Sequence, residues 1–138
     1  MLDNFRFGEY TIRLDCDVLV ADGGTRTAAI NGACVATIDA FEWLVGAGRL
    51  AQSPVRRRVA AVSVGVVGTT SRLDLDYAED VVAAVDMNVV MSSERRFVEV
   101  QGTGEHGTFS REELDGLLGL AIHGLDEIDA LQRRALGV

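Results

Sequence analysis

The sequence predicts an α+β fold, a two-layer sandwich with helices on one face of a mixed β-sheet. Three observations carry that prediction: strict alternation of apolar and polar residues over 10–20, an unbroken apolar run over 59–67, and a helical stripe of apolar residues over 114–131. A period of two buries one face of a strand, an unbroken apolar run suits a strand buried on both faces, and a period near 3.6 buries one side of a helix.

In chain order, Tyr10, Ile12, Leu14, Cys16, Val18 and Val20 alternate with Thr11, Arg13, Asp15 and Asp17, which reads as a half-buried strand. A Gly23-Gly24 turn follows, then a helix over 27–45 that stops near Gly46 and Gly48. Its small residues, Ala28, Ala29, Gly32, Ala33 and Ala36, would let it lie close on a sheet. The segment 50–58 holds the only proline, Pro54, and reads as a loop. The buried strand 59–67 turns at 68–71 into a short strand over 72–76. Over 83–91, Val85, Met87, Val89 and Met91 share one face, while Asp86 and Asn88 share the other with Val90. Residues 92–95 form a hairpin loop to a strand over 96–101. Ser110 and Glu113 make a capping box for the last helix, in which Gly124 marks a possible kink.

At 138 residues the simplest organisation is one domain, 1–138. The 48% apolar and 25% charged composition is that of a globular protein rather than a disordered one. The apolar stretch over 33–48 is interrupted by Asp39 and Glu42 and predicts no membrane span, and the first seven residues lack a secretory signal, so a cytoplasmic location is expected. Cys16 and Cys34 fall on apolar faces and are expected to be core residues. The net charge of −8 is uneven. Acids crowd residues 74–86, whereas Arg49 and Arg56-Arg57-Arg58 lie in a stretch with no acid between Glu42 and Asp74. Arg56, Arg57 and Arg58 read as a solvated basic stretch, with contact to RNA as the functional alternative.

The run Asp22-Gly23-Gly24-Thr25-Arg26-Thr27 reads as an oxyanion cradle. Two glycines turn the backbone tightly, the first helical N–H groups point at whatever sits there, and Arg26 adds a positive fork. The plainer reading is a helix cap from Asp22 or Thr25. A cation in the first helical turn opposes the helix dipole, which favours a bound anion nearby. Of the five acids from Asp74 to Asp86, a charged edge explains Asp74, Asp76 and Glu79. Asp86 lies inside an apolar strand pattern, where a carboxylate suits Mg²⁺ binding or proton donation. Phosphate cradle and acids, with Asp80 and Asp86 as the pair, suggest phosphoryl transfer. Gly102-Thr-Gly104-Glu-His-Gly107 matches a dinucleotide-binding fingerprint by chance, because the helix opens later, at Ser110, and no strand follows it. His106 and His123 have no zinc-site spacing.

The segments Asp15-Cys-Asp-Val-Leu-Val-Ala-Asp-Gly-Gly-Thr-Arg-Thr-Ala-Ala-Ile-Asn-Gly-Ala33, Val62-Ser-Val-Gly65, Leu73-Asp-Leu-Asp-Tyr-Ala-Glu-Asp80, Val85-Asp-Met-Asn-Val-Val-Met91, Phe97-Val-Glu-Val-Gln-Gly-Thr103 and Phe109-Ser-Arg-Glu-Glu-Leu114 closely resemble bacterial ribonuclease PH. Polynucleotide phosphorylase and the exosome core are similar. The resemblance runs from about Gly8 to the end and implies the RNase PH domain fold, which is ribosomal protein S5 domain 2-like. It also implies a phosphate-dependent 3′→5′ exoribonuclease (tRNA nucleotidyltransferase) that trims tRNA precursors and releases nucleoside diphosphates. By that resemblance Gly24, Thr25 and Arg26 bind inorganic phosphate as co-substrate, and Asp80 and Asp86 are catalytic, with Mg²⁺ as cofactor. Arg56, Arg57 and Arg58 are then the candidate RNA-binding residues, and a homo-oligomeric ring is the expected assembly. Family members are about twice this length, so the chain is expected to correspond to their second half. The alternative is a catalytically inactive fragment that acts as an assembly or binding module.

Overall fold

A computed structural model of the chain describes residues 1, 2 and 10–138. The expectations for the first seven residues and for Gly8 as the start of the resemblance fall largely on residues 3–9 and lie outside the described residues. The order of elements is α1 (Thr25–Gly46), β1 (Val59–Val67), β2 (Thr70–Leu73), α2 (Tyr77–Val82), β3 (Val85–Ser92), β4 (Phe97–Thr103) and α3 (Arg111–Leu136). The strands form one four-stranded sheet in the order β2-β1-β3-β4. The α+β class holds, and every pairing is antiparallel where a mixed sheet was expected.

One face of the sheet carries the core. Ala60, Val62 and Val64 of β1 and Val85, Met87, Val89 and Met91 of β3 pack against Leu117, Ala121 and Leu125 of α3. The α3 helix forms where its stripe requires. Its start is closed by the Ser110–Glu113 capping box, Glu112 and Glu113 sit in its first turn, and Arg133 and Arg134 sit in its last. Gly124 makes no break in the helix. A Cβ there would press on Leu73 of β2, so this glycine serves close helix-to-sheet packing.

The helix α1 has a different task. Beyond the end of β2, the outer edge of β1 has no strand partner among the described residues, and side chains meet its backbone groups instead. Asn31 of α1 donates to the Ala61 carbonyl and accepts the Ala61 N–H, both at 2.8 Å. Cys34 of α1 accepts the Val59 N–H, and Gln132 of α3 donates to the Val59 carbonyl. Helices α1 and α3 thus close this edge together, and the N-terminus of α1 reaches the sheet face opposite the core. By length and apolarity alone α1 could cross a membrane. Its buried Thr27, Cys34, Thr37, Phe41 and Leu44 fix one side of it against the rest of the fold.

Residues 10–20 form no strand, a correction of the expected half-buried one. Alternation alone cannot make a strand, because a strand also needs a hydrogen-bonding neighbour. Among the described residues no element pairs with this segment. Leu19 and Val20 are almost fully exposed, and Cys16 is exposed where a core position was expected; Cys34 is buried as expected. The small-residue face of α1 is not laid on the four-stranded sheet either. Ala28, Ala29, Gly32, Ala33 and Ala36 line an apolar groove of about 480 Å³ whose other wall is the segment 14–20.

Candidate active site

The Gly23-Gly24 turn is fixed by steric necessity. Both glycines have positive φ, 78° and 56°, and a Cβ on Gly23 would collide with the backbone carbonyl of Leu75. That close approach brings the start of α1 against the loop between β2 and α2. The loop is held in turn from β1. The Ser63 carbonyl accepts the Asp74 N–H at 2.8 Å, and the Ser63 hydroxyl oxygen accepts the Leu75 N–H at 3.1 Å. Asp22 accepts the Tyr77 N–H at 3.3 Å and so braces the same loop rather than capping α1.

The first turn of α1 is left without a cap. Gly24 occupies the N-cap position with no side-chain hydrogen bond, and no acid lies in the first turn. Helix N-termini carry unpaired N–H donors and about half a unit of positive charge, so this end is suited to an anion. Arg26 adds a guanidinium, which lies against Glu99 of β4 at 2.8 and 3.0 Å. Glu99 offsets a cation that the helix dipole disfavours.

The acids reach the same place from two other elements. Asp80 sits in the first turn of α2, whose N-cap Asp76 accepts the Glu79 N–H at 2.8 Å. Asp86 lies near the start of β3, opposite Gly65 of β1 and Thr103 of β4, on the face turned away from the core. Gly24, Thr25, Arg26, Asp80 and Asp86, together with Ser63, Leu75 and Asn88, line one cavity of about 140 Å³. It is much smaller than the apolar groove over α1, and it brings an uncapped helix N-terminus together with two carboxylates.

Burial pushes the Asp86 carboxyl above its ordinary range, the negative charges of Asp80 and Glu105 push it further, and a hydrogen bond from the Met87 N–H partly offsets them. Two carboxylates, Asp80 and Asp86, form a hard-oxygen donor set. Mg²⁺ is commonly held by one or two carboxylates, with water and substrate phosphate completing its shell. Among the described residues no group of three or more acids, histidines or cysteines converges, so the set fits an ion shared with substrate rather than an all-protein cage.

The arginine stretch is not brought to this cavity. It enters β1 at Val59, and the four steps from Val59 to Ser63 span roughly 13 Å at the usual strand rise. Arg57 pairs with Glu94 at 3.3 Å, and Arg58 grips Asp129 through two nitrogens at 2.9 and 3.3 Å. Arg56, Arg57 and Arg58 line a separate cleft beside Asp39, Glu42 and Val138. Sequence reasoning missed Ser63 as a lining residue. Its signal was present: Ser63 is the only polar side chain in the run 59–67.

Residues 57–124 match the family model described as 3′ exoribonuclease family, domain 2 (RNase_PH_C). This stretch is similar to that family's second domain. It contains Asp80, Asp86, Ser63 and Asn88, while the turn at Gly24 precedes it. A solved structure, rice (Oryza sativa) Rrp46, is similar over 87% of this chain, with a TM-score of 0.65 and 23% identity. At that identity the likeness is one of fold, and the chain spans 51% of the length of that protein.

Proposed function

We propose that this exoribonuclease-family domain carries the phosphate-and-acid site of a phosphorolytic 3′→5′ exoribonuclease that trims the 3′ end of tRNA precursors. The observation that supports this reading is the shared cavity of Gly24, Thr25, Arg26, Asp80 and Asp86. Inorganic phosphate bound by the uncapped N–H groups of α1 and by Arg26 is positioned to attack the last phosphodiester of an RNA 3′ end. A phosphate oxygen forms the new P–O bond, the bond from phosphorus to the 3′ oxygen breaks, and a nucleoside diphosphate leaves. The departing 3′ oxygen needs a proton. Asp86, whose burial favours the protonated form, is suited to donate it, with Asp80 as the neighbouring charge that keeps that proton in place.

In the alternative role, with Asp86 ionised, Asp80 and Asp86 would hold Mg²⁺, which supplies positive charge against the crowded phosphate oxygens. Arg56, Arg57 and Arg58 are proposed to meet the RNA backbone farther from the reacting end, and assembly into a ring of like subunits is proposed from the resemblance. One observation favours the alternative of a non-catalytic assembly module. The apolar groove between α1 and 14–20 is open, as an interface element would be.

The experiment is phosphate-dependent release of nucleoside diphosphates from a tRNA precursor with extra 3′ nucleotides, with Mg²⁺ present. The reading predicts release that requires phosphate and falls by about 100-fold or more in both Arg26→Ala and Asp86→Asn, the scale of losing one charge-stabilising or proton-donating group. Folded wild-type protein that releases nothing favours the assembly module.

A further inference from the structure

The floor of the cavity holds two polar groups that the reading above leaves without a role. Ser63 and Asn88 are register partners across β1 and β3, so both side chains leave the same face of the sheet, about 5 Å apart at Cβ. Both line the cavity with Gly24, Thr25 and Arg26. Ser63 is 96% buried, its relative exposure being 4%. Its oxygen already accepts the Leu75 N–H, and among the described residues its own proton has no acceptor. The Asn88 amide likewise has no hydrogen-bond partner among the described residues. A buried hydroxyl proton without an acceptor is costly unless a ligand takes it, and a serine inside an otherwise apolar strand needs a reason.

We infer that Ser63 and Asn88 are binding residues for the inorganic phosphate of this site, donating from the sheet to oxygens that the α1 N-terminus and Arg26 hold from the helix side. This rests on the phosphate site proposed above. Phosphate carries several acceptor oxygens in a tetrahedron, and a cradle on one side alone leaves those facing the sheet unbound. Donors on the opposite wall complete the shell and set the rotation of the anion. The Ser63 oxygen lies near Gly24, at 3.9 Å from where a Cβ on that residue would stand, so one anion can touch the helix terminus and Ser63 together. The Asn88 amide sits beside Asp86 on the same strand face, where it donates without adding charge.

The test is a titration of inorganic phosphate, without RNA, into the wild type, Ser63→Ala, Asn88→Ala and Arg26→Ala, with melting temperatures taken in parallel. Charge-assisted hydrogen bonds of this kind predict phosphate affinity weakened about tenfold or more in both Ser63→Ala and Asn88→Ala. Affinity unchanged in both, with Arg26→Ala defective, overturns the role of the floor and leaves the cradle reading standing. A wild type that binds no phosphate overturns the cradle reading itself. Because Ser63 also supports Leu75, a purely structural role lowers the melting temperature and leaves the phosphate affinity of the folded protein unchanged, which also overturns the inference. If Ser63→Ala does not fold, Asn88→Ala decides, with Ser63→Thr expected to keep phosphate affinity by keeping the hydroxyl.

Discussion

Asp86 shows how one residue joins stability to chemistry. Its carboxyl is raised from an ordinary value of 3.8, chiefly by burial and then by Asp80 and Glu105, so the folded chain holds this proton more tightly than the unfolded chain does. For an acid shifted upward, the cost to stability appears as pH rises from 3.8 through the folded value. Asp86→Asn, which keeps the shape and cannot ionise, is therefore expected to be more stable than the wild type at pH 7 and indistinguishable below pH 3.8. Urea denaturation at the two pH values checks this. Such a variant is stabilised where it is predicted to be inactive, as expected of a site residue held in place at a cost. At this scale the sequence was informative wherever one polar residue interrupted an apolar pattern. Asp86 was legible for that reason, and Ser63 carried the same mark. The contact of Arg26 with Glu99 was not legible, because it joins residues far apart in sequence through a pairing of strands that no local pattern encodes.

Among the elements, β1 and β3 were legible to within a residue or two, because burial writes itself directly into their apolar patterns. The short helix α2 was not, since six residues with no buried side chain leave no periodicity to read. The segment 10–20 failed for the opposite reason. Its pattern is that of a strand, yet the hydrogen bonds that make a strand belong to a neighbour. The same applies to the small-residue face of α1, which faces this segment and not the four-stranded sheet. Cysteine labelling reads this arrangement. Cys16 is exposed, whereas Cys34 is buried and its thiol is pushed up by that burial, so only Cys16 is expected to react rapidly with an alkylating reagent in the native protein. Mass spectrometry should show one adduct in buffer and two in denaturant. Protection of Cys16 in buffer would mean that another surface covers the groove.

Over the whole molecule, α3 ties down the arginine end of the sheet. Asp129 of α3 accepts from Arg58 at the entry to β1 and from Arg133 on its own helix, and Asp126 accepts from Arg95 in the β3–β4 turn. Burial alone would raise the Asp129 carboxyl, but hydrogen bonds from Arg58 and Arg133 outweigh it and hold the group below its ordinary 3.8. For an acid shifted downward, the stabilisation is complete above 3.8 and is lost as pH falls through the folded value. Asp129→Asn is expected to lose about 1.5–3 kcal/mol at pH 7, the scale of hydrogen bonds to a charged group, with the deficit closing in acid. Chemical denaturation across that range checks it. Much of the basic stretch that charge alone suggested for RNA is thus engaged in holding the molecule together. The central claim is that the N-terminus of α1 and the two aspartates form one phosphate site. Backbone amide NMR during a titration with inorganic phosphate tests it most directly. Saturable shifts at Thr25, Arg26 and Thr27 that extend to Asp86 are predicted; shifts confined to Arg56, Arg57 and Arg58, with the start of α1 unmoved, would contradict it.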